Sequence, residues 1–156
     1  MPRLVRNVLA FLAGLIVGGA VNMALIVLSP SIIPPPAGVD VNDVESLSRS
    51  IHLFQPRHFV MPFLAHALGA LAGALVAYLI AVTHKLPIAL TIGFLFLCGG
   101  VAASFMIPAP AWFIALDLIV AYLPMAWLGA RLGAHFMPTT LVGEWTARCE
   151  EFCARD

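Results

Sequence analysis

From residue 59 to residue 82 the chain reads FVMPFLAHALGALAGALVAYLIAV, an apolar stretch with no Asp, Glu, Lys or Arg and with one histidine, His66. A helix of about 20 apolar residues spans about 30 Å of hydrocarbon, so this stretch is long enough to cross a bilayer. The small residues on the helix face of His66 are Ala70, Gly73 and Ala77, with Gly69 beside them. Small residues at such spacing let helix backbones approach closely. We therefore predict a membrane-spanning helix that packs against other helices along this face.

Three further stretches have the same apolar character: residues 4–28, 87–107 and 111–132. The chain of 156 residues is 62% hydrophobic and 10% charged, whereas about a quarter of the residues in soluble domains are charged. This composition predicts an all-α membrane protein, a bundle of four transmembrane helices in which Pro62 and Pro124 start or kink spans. No stretch has the pattern of a soluble catalytic domain or a glycine-rich phosphate loop. The formal net charge of zero gives no indication of nucleic-acid binding.

The basic residues that flank the spans predict the orientation of the chain. Cytoplasmic flanks are enriched in Lys and Arg. If the chain crosses the membrane four times, one side of the membrane has the basic residues Arg3, Arg6, Lys85, Arg131, Arg148 and Arg155. The other side has Arg49 and Arg57. We therefore expect a protein of the cytoplasmic (inner) membrane with both termini in the cytoplasm and an outer loop over residues 29–58. The first apolar run is longer than the apolar region of a signal peptide, which has about 7 to 15 residues, so we expect an uncleaved anchor.

The outer loop contains a short amphipathic pattern. Its apolar residues at helical spacing are Val44, Leu47, Ile51 and Phe54. Asn42 or Asp43 is placed to cap this helix, and Pro56 ends it. We expect the helix to lie on the outer membrane surface or over the mouth of the bundle.

The chain divides into a transmembrane domain, residues 1–137, and a cytoplasmic tail, residues 138–156. In the tail an apolar stripe of Trp145, Cys149 and Phe152 predicts a helix that lies on the membrane surface, although a partner-binding helix has the same pattern. Cys149 and Cys153 lack the histidine or second cysteine pair of a metal site, so we expect reduced thiols.

Three of the spans each hold one polar residue at a similar depth below the outer end: Asn22, His66 and Asp117. Counted from the outer end of its span, each lies about 10 Å deep at 1.5 Å per residue. Asn22 continues a line of small residues at steps of four, which are Ala10, Gly14 and Gly18. It therefore faces the bundle, as His66 does. Exposure of a carboxylate to lipid is costly, which predicts the same direction for Asp117. The sequence thus predicts an intramembrane polar cluster of these three residues in the outer third of the bundle.

Two interpretations of this cluster remain open. An aspartate and a histidine that are buried together satisfy each other's hydrogen bonds, and an asparagine donates or accepts as required. The cluster is then a clasp between helices. Ionisable groups inside a membrane also mark proton relays, ion paths and ligand sites. Tyr122, deeper in the fourth span, is a candidate relay member, although a packed aromatic side chain is the interpretation we prefer.

Near the outer mouth, His52, His58 and Arg57 are candidate contributors to an entrance, although loop charges are usually only solvated. The aromatic residues Phe54, Phe59, Phe63, Trp112 and Phe113 suit an outer interfacial belt. No HExxH pair or nucleophile elbow occurs, so we predict no metal site and assign no cofactor or catalytic residue.

Two runs of the sequence, HFVMPFLAHALG at residues 58–69 and PAPAWFIALD at residues 108–117, resemble those of a family of small, uncharacterised bacterial four-span membrane proteins. The resemblance extends from Asn22 to about Gly129 and leaves the tail outside. It implies the four-span architecture and no activity or site residue.

We consider three functions. The first is a non-enzymatic accessory or scaffold protein that packs in the bilayer against itself or a larger membrane complex. The second is a small proton-coupled transporter or channel that uses His66 and Asp117. The third is a membrane-embedded enzyme in which these two residues and His52 or His58 bind a metal. The first accounts for the size, the small-residue faces and the lack of a catalytic motif, so it is our prediction.

Overall fold

A computed structural model of the protein describes residues 2–136. Within this range the regular structure is helical. The α-helices are α1 (Arg3–Ile32), α2 (Val44–Ser50), α3 (Val60–Ile80), α4 (Lys85–Met106), α5 (Ala111–Val120) and α6 (Leu123–Phe136). Two 3-10 turns, Ile51–Leu53 and Pro56–Phe59, connect α2 to α3. The predicted tail helix, with Cys149 and Cys153, lies outside the described residues.

Four segments of the described chain are long and apolar enough to cross a membrane: Arg3–Ile32, Pro56–Ile80, Lys85–Met106 and Ala111–Phe136. The prediction of an all-α protein with four such segments is therefore confirmed. The first helix extends through Pro30 to Ile32, beyond the predicted end at Leu28. Pro30 lies in the last turn of this helix and has no N–H to donate, but the N–H of Ile33 still donates to the carbonyl oxygen of Ser29 at 2.9 Å.

The fourth segment is one candidate span, as predicted for residues 111–132, and the structure divides it into α5 and α6 beside Pro124, which was expected to start or kink a span. The helix ends at Val120, turns at Ala121 and Tyr122, and begins again at Leu123. Pro124 explains the break: it has no N–H to donate to the carbonyl of Val120, and its ring collides with that carbonyl in a regular helix.

Helix α3 is the centre of the bundle and packs against α1, α4 and α6. On α1 the buried residues are Ala10, Gly14 and Gly18, which is the predicted small-residue line. A Cβ atom built at Gly14 would lie 2.7 Å from the carbonyl oxygen of Gly73, and one built at Gly73 would lie 2.7 Å from the carbonyl oxygen of Gly14. The two backbones therefore touch directly, which is the close packing that small residues permit in a membrane.

Helices α4 and α6 complete the bundle on other sides of α3. The buried residues of α6 are Ala126, Gly129, Ala130 and Gly133. Ala126 packs with Ala74 of α3 and Ala89 of α4 in one core cluster. Ile92 is the only large side chain in the described chain that is fully buried. The core therefore depends on close backbone approach rather than on bulky apolar side chains.

The loop before α3 contains a capped helix and ends in a set of aromatic contacts. Asp43 caps α2, because its Oδ1 accepts from the N–H of Glu45 at 3.2 Å and its Oδ2 accepts from that of Ser46 at 3.1 Å. At the loop end, the ring of Phe59 lies 4.8 Å from that of Phe113 and 5.7 Å from that of Trp112. These contacts join the start of α3 to the start of α5, so both helices begin at the same end of the bundle.

Candidate functional site: a buried His–Asp–Tyr cluster

The structure brings His66 and Asp117 into direct contact. His66 is on α3 and Asp117 is on α5, and the Nδ1 atom of His66 lies 2.9 Å from each carboxylate oxygen of Asp117. An ionised carboxylate only accepts hydrogen bonds, so in that state the imidazole donates from Nδ1. The side chain of Asp117 is 7% exposed and that of His66 is 24% exposed. The structure thus brings two of the three predicted cluster residues into hydrogen-bond contact.

Tyr122 completes the cluster from the turn between α5 and α6. Its hydroxyl donates to Oδ2 of Asp117 at 2.9 Å, and its ring stacks on that of His66 with a centroid distance of 5.5 Å. In a regular helix, residues five apart point about 140° away from each other. The break before Pro124 changes this direction. Tyr122 is therefore a packed aromatic and also a hydrogen-bond donor, and the nearby proline was the signal for its position.

Helix α4 provides the space that Tyr122 occupies. Gly100 lies against the phenol ring, and a Cβ atom built there would come within 2.5 Å of the Tyr122 Cζ atom. Gly93 lies closer to the start of α4, where an added Cβ would meet the Cβ of Ala126 at 2.5 Å. The absence of side chains at these glycines lets the turn pack closely on α4. Sequence reasoning did not single out either glycine.

Asn22 lies beside α3, and its side-chain oxygen makes no hydrogen bond to His66 or Asp117. A Cβ atom built at Gly69 would lie 2.9 Å from the Cβ of Asn22. Gly69 is about 4.5 Å along α3 from His66 by helix rise. The Asn22 Oδ1 atom is buried and has no donor within residues 2–136. Buried polar atoms normally have a partner, so this oxygen is an unused acceptor close to the cluster.

The three candidates from the outer mouth occupy other places. His58 is buried and belongs to the turn that starts α3, where its Nδ1 accepts from the N–H of Gln55 at 2.9 Å. Its ring also meets that of Phe54 edge-on at 5.3 Å. His52 and Arg57 are exposed. No hydrogen bond within residues 2–136 connects any of these candidates to Asp117, so the cluster consists of His66, Asp117 and Tyr122.

The described residues contain no group of three or more His, Cys, Asp or Glu side chains that is placed to hold a metal ion. Chemically, the cluster is able to hold a proton between an imidazole and a carboxylate, with a phenol as a second donor. Comparison of the chain with protein-family models, with curated proteins and with solved structures finds no match.

Proposed function

We propose that this chain is a non-enzymatic membrane protein, an accessory or scaffold subunit, in which the His66–Asp117–Tyr122 cluster is an interhelical clasp. One observation carries the proposal: each oxygen of the buried Asp117 carboxylate already has a donor from the bundle itself. A carboxylate in lipid is costly unless it is paired. Here the pairing is internal and ties α3 to α5 and to the turn before α6.

The outward faces of the bundle suit an accessory role. Gly19 on α1 and Gly99 on α4 have no atom within 4 Å of an added Cβ, so neither serves the packing of this chain. Cys98 and Ala102 beside Gly99 are exposed as well. Small residues on a lipid-facing surface permit another helix to approach closely. A second copy or a larger membrane complex is the partner that such a surface fits.

For the surroundings of the protein, we propose a bacterial inner membrane with both termini in the cytoplasm. In support, Arg3, Arg6 and Lys85 lie at one end of the bundle, together with Arg131 near the end of α6. Cytoplasmic flanks are enriched in such residues. In this orientation the loop with α2 faces outward, and we propose that α2 lies on the outer membrane surface. The tail, residues 138–156, is then cytoplasmic.

The clasp is tested with a variant that removes the charge of Asp117 and keeps one of its two acceptor oxygens. Asp117→Asn retains a side-chain carbonyl that accepts from His66 or Tyr122, so we expect the purified variant to lose less than about 1 kcal/mol of stability. Affinity purification in mild detergent should recover the same associated protein, or the same oligomer, with the variant as with the wild type.

Asp117→Leu is the matched control, because it removes the hydrogen bonds at the same position and leaves His66 and Tyr122 without their acceptor. We expect it to be less stable than Asp117→Asn. A wild type that purifies only as an isolated monomer contradicts the accessory role. An Asp117→Asn protein that is as stable as the wild type but loses its partner contradicts the clasp, since the charge itself is then required.

The second candidate function is a small proton-coupled transporter or channel. It is favoured by the unused Oδ1 of Asn22 and by the partial exposure of the His66 side chain, which together leave polar atoms beside the pair. The test is proton uptake into proteoliposomes that contain a pH-sensitive dye. Flux that is present in the wild type and lost in both Asp117→Asn and His66→Ala supports this function. Flux that is unchanged in both variants rejects it.

A further inference from the structure

A buried histidine, His58, joins the loop before α3 to the start of that helix. Its ring nitrogen Nδ1 accepts from the backbone N–H of Gln55 at 2.9 Å, and its own backbone N–H donates to the carbonyl oxygen of Gln55 at 2.9 Å. The two residues thus close the Pro56–Phe59 turn in both directions, as the residues of a capping box do. A ring nitrogen accepts a hydrogen bond only while it carries no proton, so this arrangement requires the neutral imidazole.

The His58 ring also belongs to a chain of aromatic contacts. It meets the Phe54 ring edge-on at a centroid distance of 5.3 Å, and the Phe54 ring lies 6.2 Å from that of Phe59. Phe59 in turn contacts Trp112 and Phe113 at the start of α5. The position of His58 is therefore coupled through these rings to the contact that holds the starts of α3 and α5 together.

The loop provides no partner for a charged form of this ring. Besides His58, the ionisable side chains of the loop are Asp40, Asp43, Glu45, Arg49, His52 and Arg57. Its carboxylates are engaged elsewhere: Asp40 accepts from the N–H of Asn42, Asp43 caps α2, and Glu45 pairs with Arg49. His52 and Arg57 are exposed. Within residues 2–136, no hydrogen bond or ion pair joins any of these side chains to the His58 ring.

The helices at this turn provide no counter-ion either. The first ionisable residues of α3 and α5 are His66 and Asp117, which lie almost two turns further into the bundle and pair with each other. The ionisable residues on the described parts of α1, α4 and α6 lie towards the opposite end of the bundle. A proton added to Nδ1 of His58 would therefore create a buried charge without a counter-ion, which is costly.

We propose that His58 is an acid-sensitive latch at this end of the bundle. In the neutral state, Nδ1 holds the N–H of Gln55 and the ring stays packed on Phe54. In an acidic medium Nδ1 takes up a proton and becomes a donor, so the N–H of Gln55 loses its acceptor. The carbonyl oxygen of Gln55, 3.2 Å away, can accept from the protonated ring, but it leaves the charge without a counter-ion.

The protonated ring then leaves its buried place for water, and this movement loosens the aromatic contacts. Phe54 loses its edge-on partner, and Phe59 loses the support that holds it against α5. Acid thereby opens the contact between the starts of α3 and α5. Histidine is the side chain that ordinarily changes its charge between about pH 5 and pH 8. The latch uses no atom of the His66–Asp117–Tyr122 cluster, so it is independent of the clasp.

Trp112 reports the opening, because its ring contacts Phe59. The chain has three tryptophans, so Trp127→Phe and Trp145→Phe leave Trp112 as the only one. In the purified full chain in micelles, we expect quenching of its fluorescence by acrylamide to rise in one step from about pH 7.5 to about pH 5. His58→Asn keeps an acceptor near the place of Nδ1 but does not titrate, so it should abolish the step. His52→Asn removes the exposed histidine of the same loop and is the matched control, which should keep the step.

A second measurement uses the wild type alone and so does not depend on the folding of His58→Asn. NMR gives the amide exchange rate of Gln55 relative to an unstructured peptide at the same pH. We expect this protection to fall about fivefold over the same pH range, the factor to which one net hydrogen bond corresponds. Unchanged protection overturns the proposal, as does a fluorescence step that is absent from the wild type or persists in His58→Asn. A step that is lost in His52→Asn assigns the titration to the exposed histidine and also overturns it.

Discussion

At the scale of single residues, Asp117 has the environment that distinguishes this chain from a simple apolar bundle. Its carboxylate is buried and accepts from an imidazole and a phenol that belong to different structural elements. Interhelical hydrogen bonds in membranes contribute on average only about 0.6 kcal/mol each, because unpaired groups also find partners in the unfolded state. When a buried acceptor loses its only donor, the free energy of unfolding falls by more than this average. The energetic effect of each bond in the cluster is therefore measurable but moderate.

Tyr122→Phe measures this effect directly. It removes the hydroxyl that donates to Asp117 and keeps the ring that packs over Gly100, so we expect a loss of about 0.6 to 2 kcal/mol in the free energy of unfolding. Reversible denaturation in mixed detergent and lipid micelles provides the measurement. Tyr78→Phe is the control, because the chain has two tyrosines and the hydroxyl of Tyr78 makes no hydrogen bond to residues 2–136. Equal effects of the two substitutions contradict the bond from Tyr122 to Asp117.

At the scale of helices, the contact between α1 and α3 depends on the absence of side chains. The crossing places Gly14 against Gly73 and Gly18 against Gly69, and each added Cβ would meet the backbone oxygen of the other helix at less than 3 Å. Helix association in lipid relies on such close packing, since lipid tails are as apolar as leucine. The crossing therefore tolerates little change in side-chain size.

Gly14→Ala should separate the two helices. Its new Cβ would lie 2.7 Å from the Gly73 oxygen and 2.8 Å from the Ala77 Cβ, and both of these are on α3. Overpacking of this kind costs about 1–3 kcal/mol. Gly19→Ala is the matched control on the same helix: nothing lies within 4 Å of its added Cβ, and alanine favours a helix by up to about 1 kcal/mol over glycine. Unfolding in micelles compares the two variants. A Gly14→Ala protein as stable as Gly19→Ala contradicts the observed crossing.

At the scale of the whole molecule, the bundle has two different ends. One end carries the aromatic contacts of Phe59, Trp112 and Phe113 and the loop with its acidic residues. The other end carries Arg3, Arg6 and Lys85. Between the ends, large apolar side chains such as Ile16, Phe94 and Ile119 are exposed. This distribution matches a bilayer with chemically different leaflets or faces.

The difference between the ends predicts which one reaches the cytoplasm. In a background with Cys98, Cys149 and Cys153 changed to alanine, we expect Asn42→Cys to react with a membrane-impermeant thiol reagent in intact cells that lack an outer barrier. His84→Cys should react only after permeabilisation, because the positive-inside bias places the basic end in the cytoplasm. The reversed labelling pattern contradicts the proposed orientation. Mass shifts of the purified protein report both reactions.

The sequence by itself was sufficient for the local features of this protein. Apolar length alone predicted the four segments that are long enough to span a membrane. The steps of four in Ala10, Gly14 and Gly18 predicted the buried side of α1. Counts of helix rise predicted that His66 and Asp117 lie close together. These features depend on helix geometry, which repeats at every residue. For the short helix in the loop the sequence left the cap between Asn42 and Asp43, and the structure shows Asp43.

Tertiary structure alone decided which polar atoms are paired. Asn22 was expected to join the pair, yet its Cβ lies against Gly69 and its oxygen has no donor in the described chain, because a hydrogen bond requires a match of about 0.3 Å that helix counting does not provide. Tyr122 reaches Asp117 only because Pro124 breaks the helix and Gly100 leaves room on α4. Such features depend on the relative positions of several helices, which no single stretch of sequence encodes.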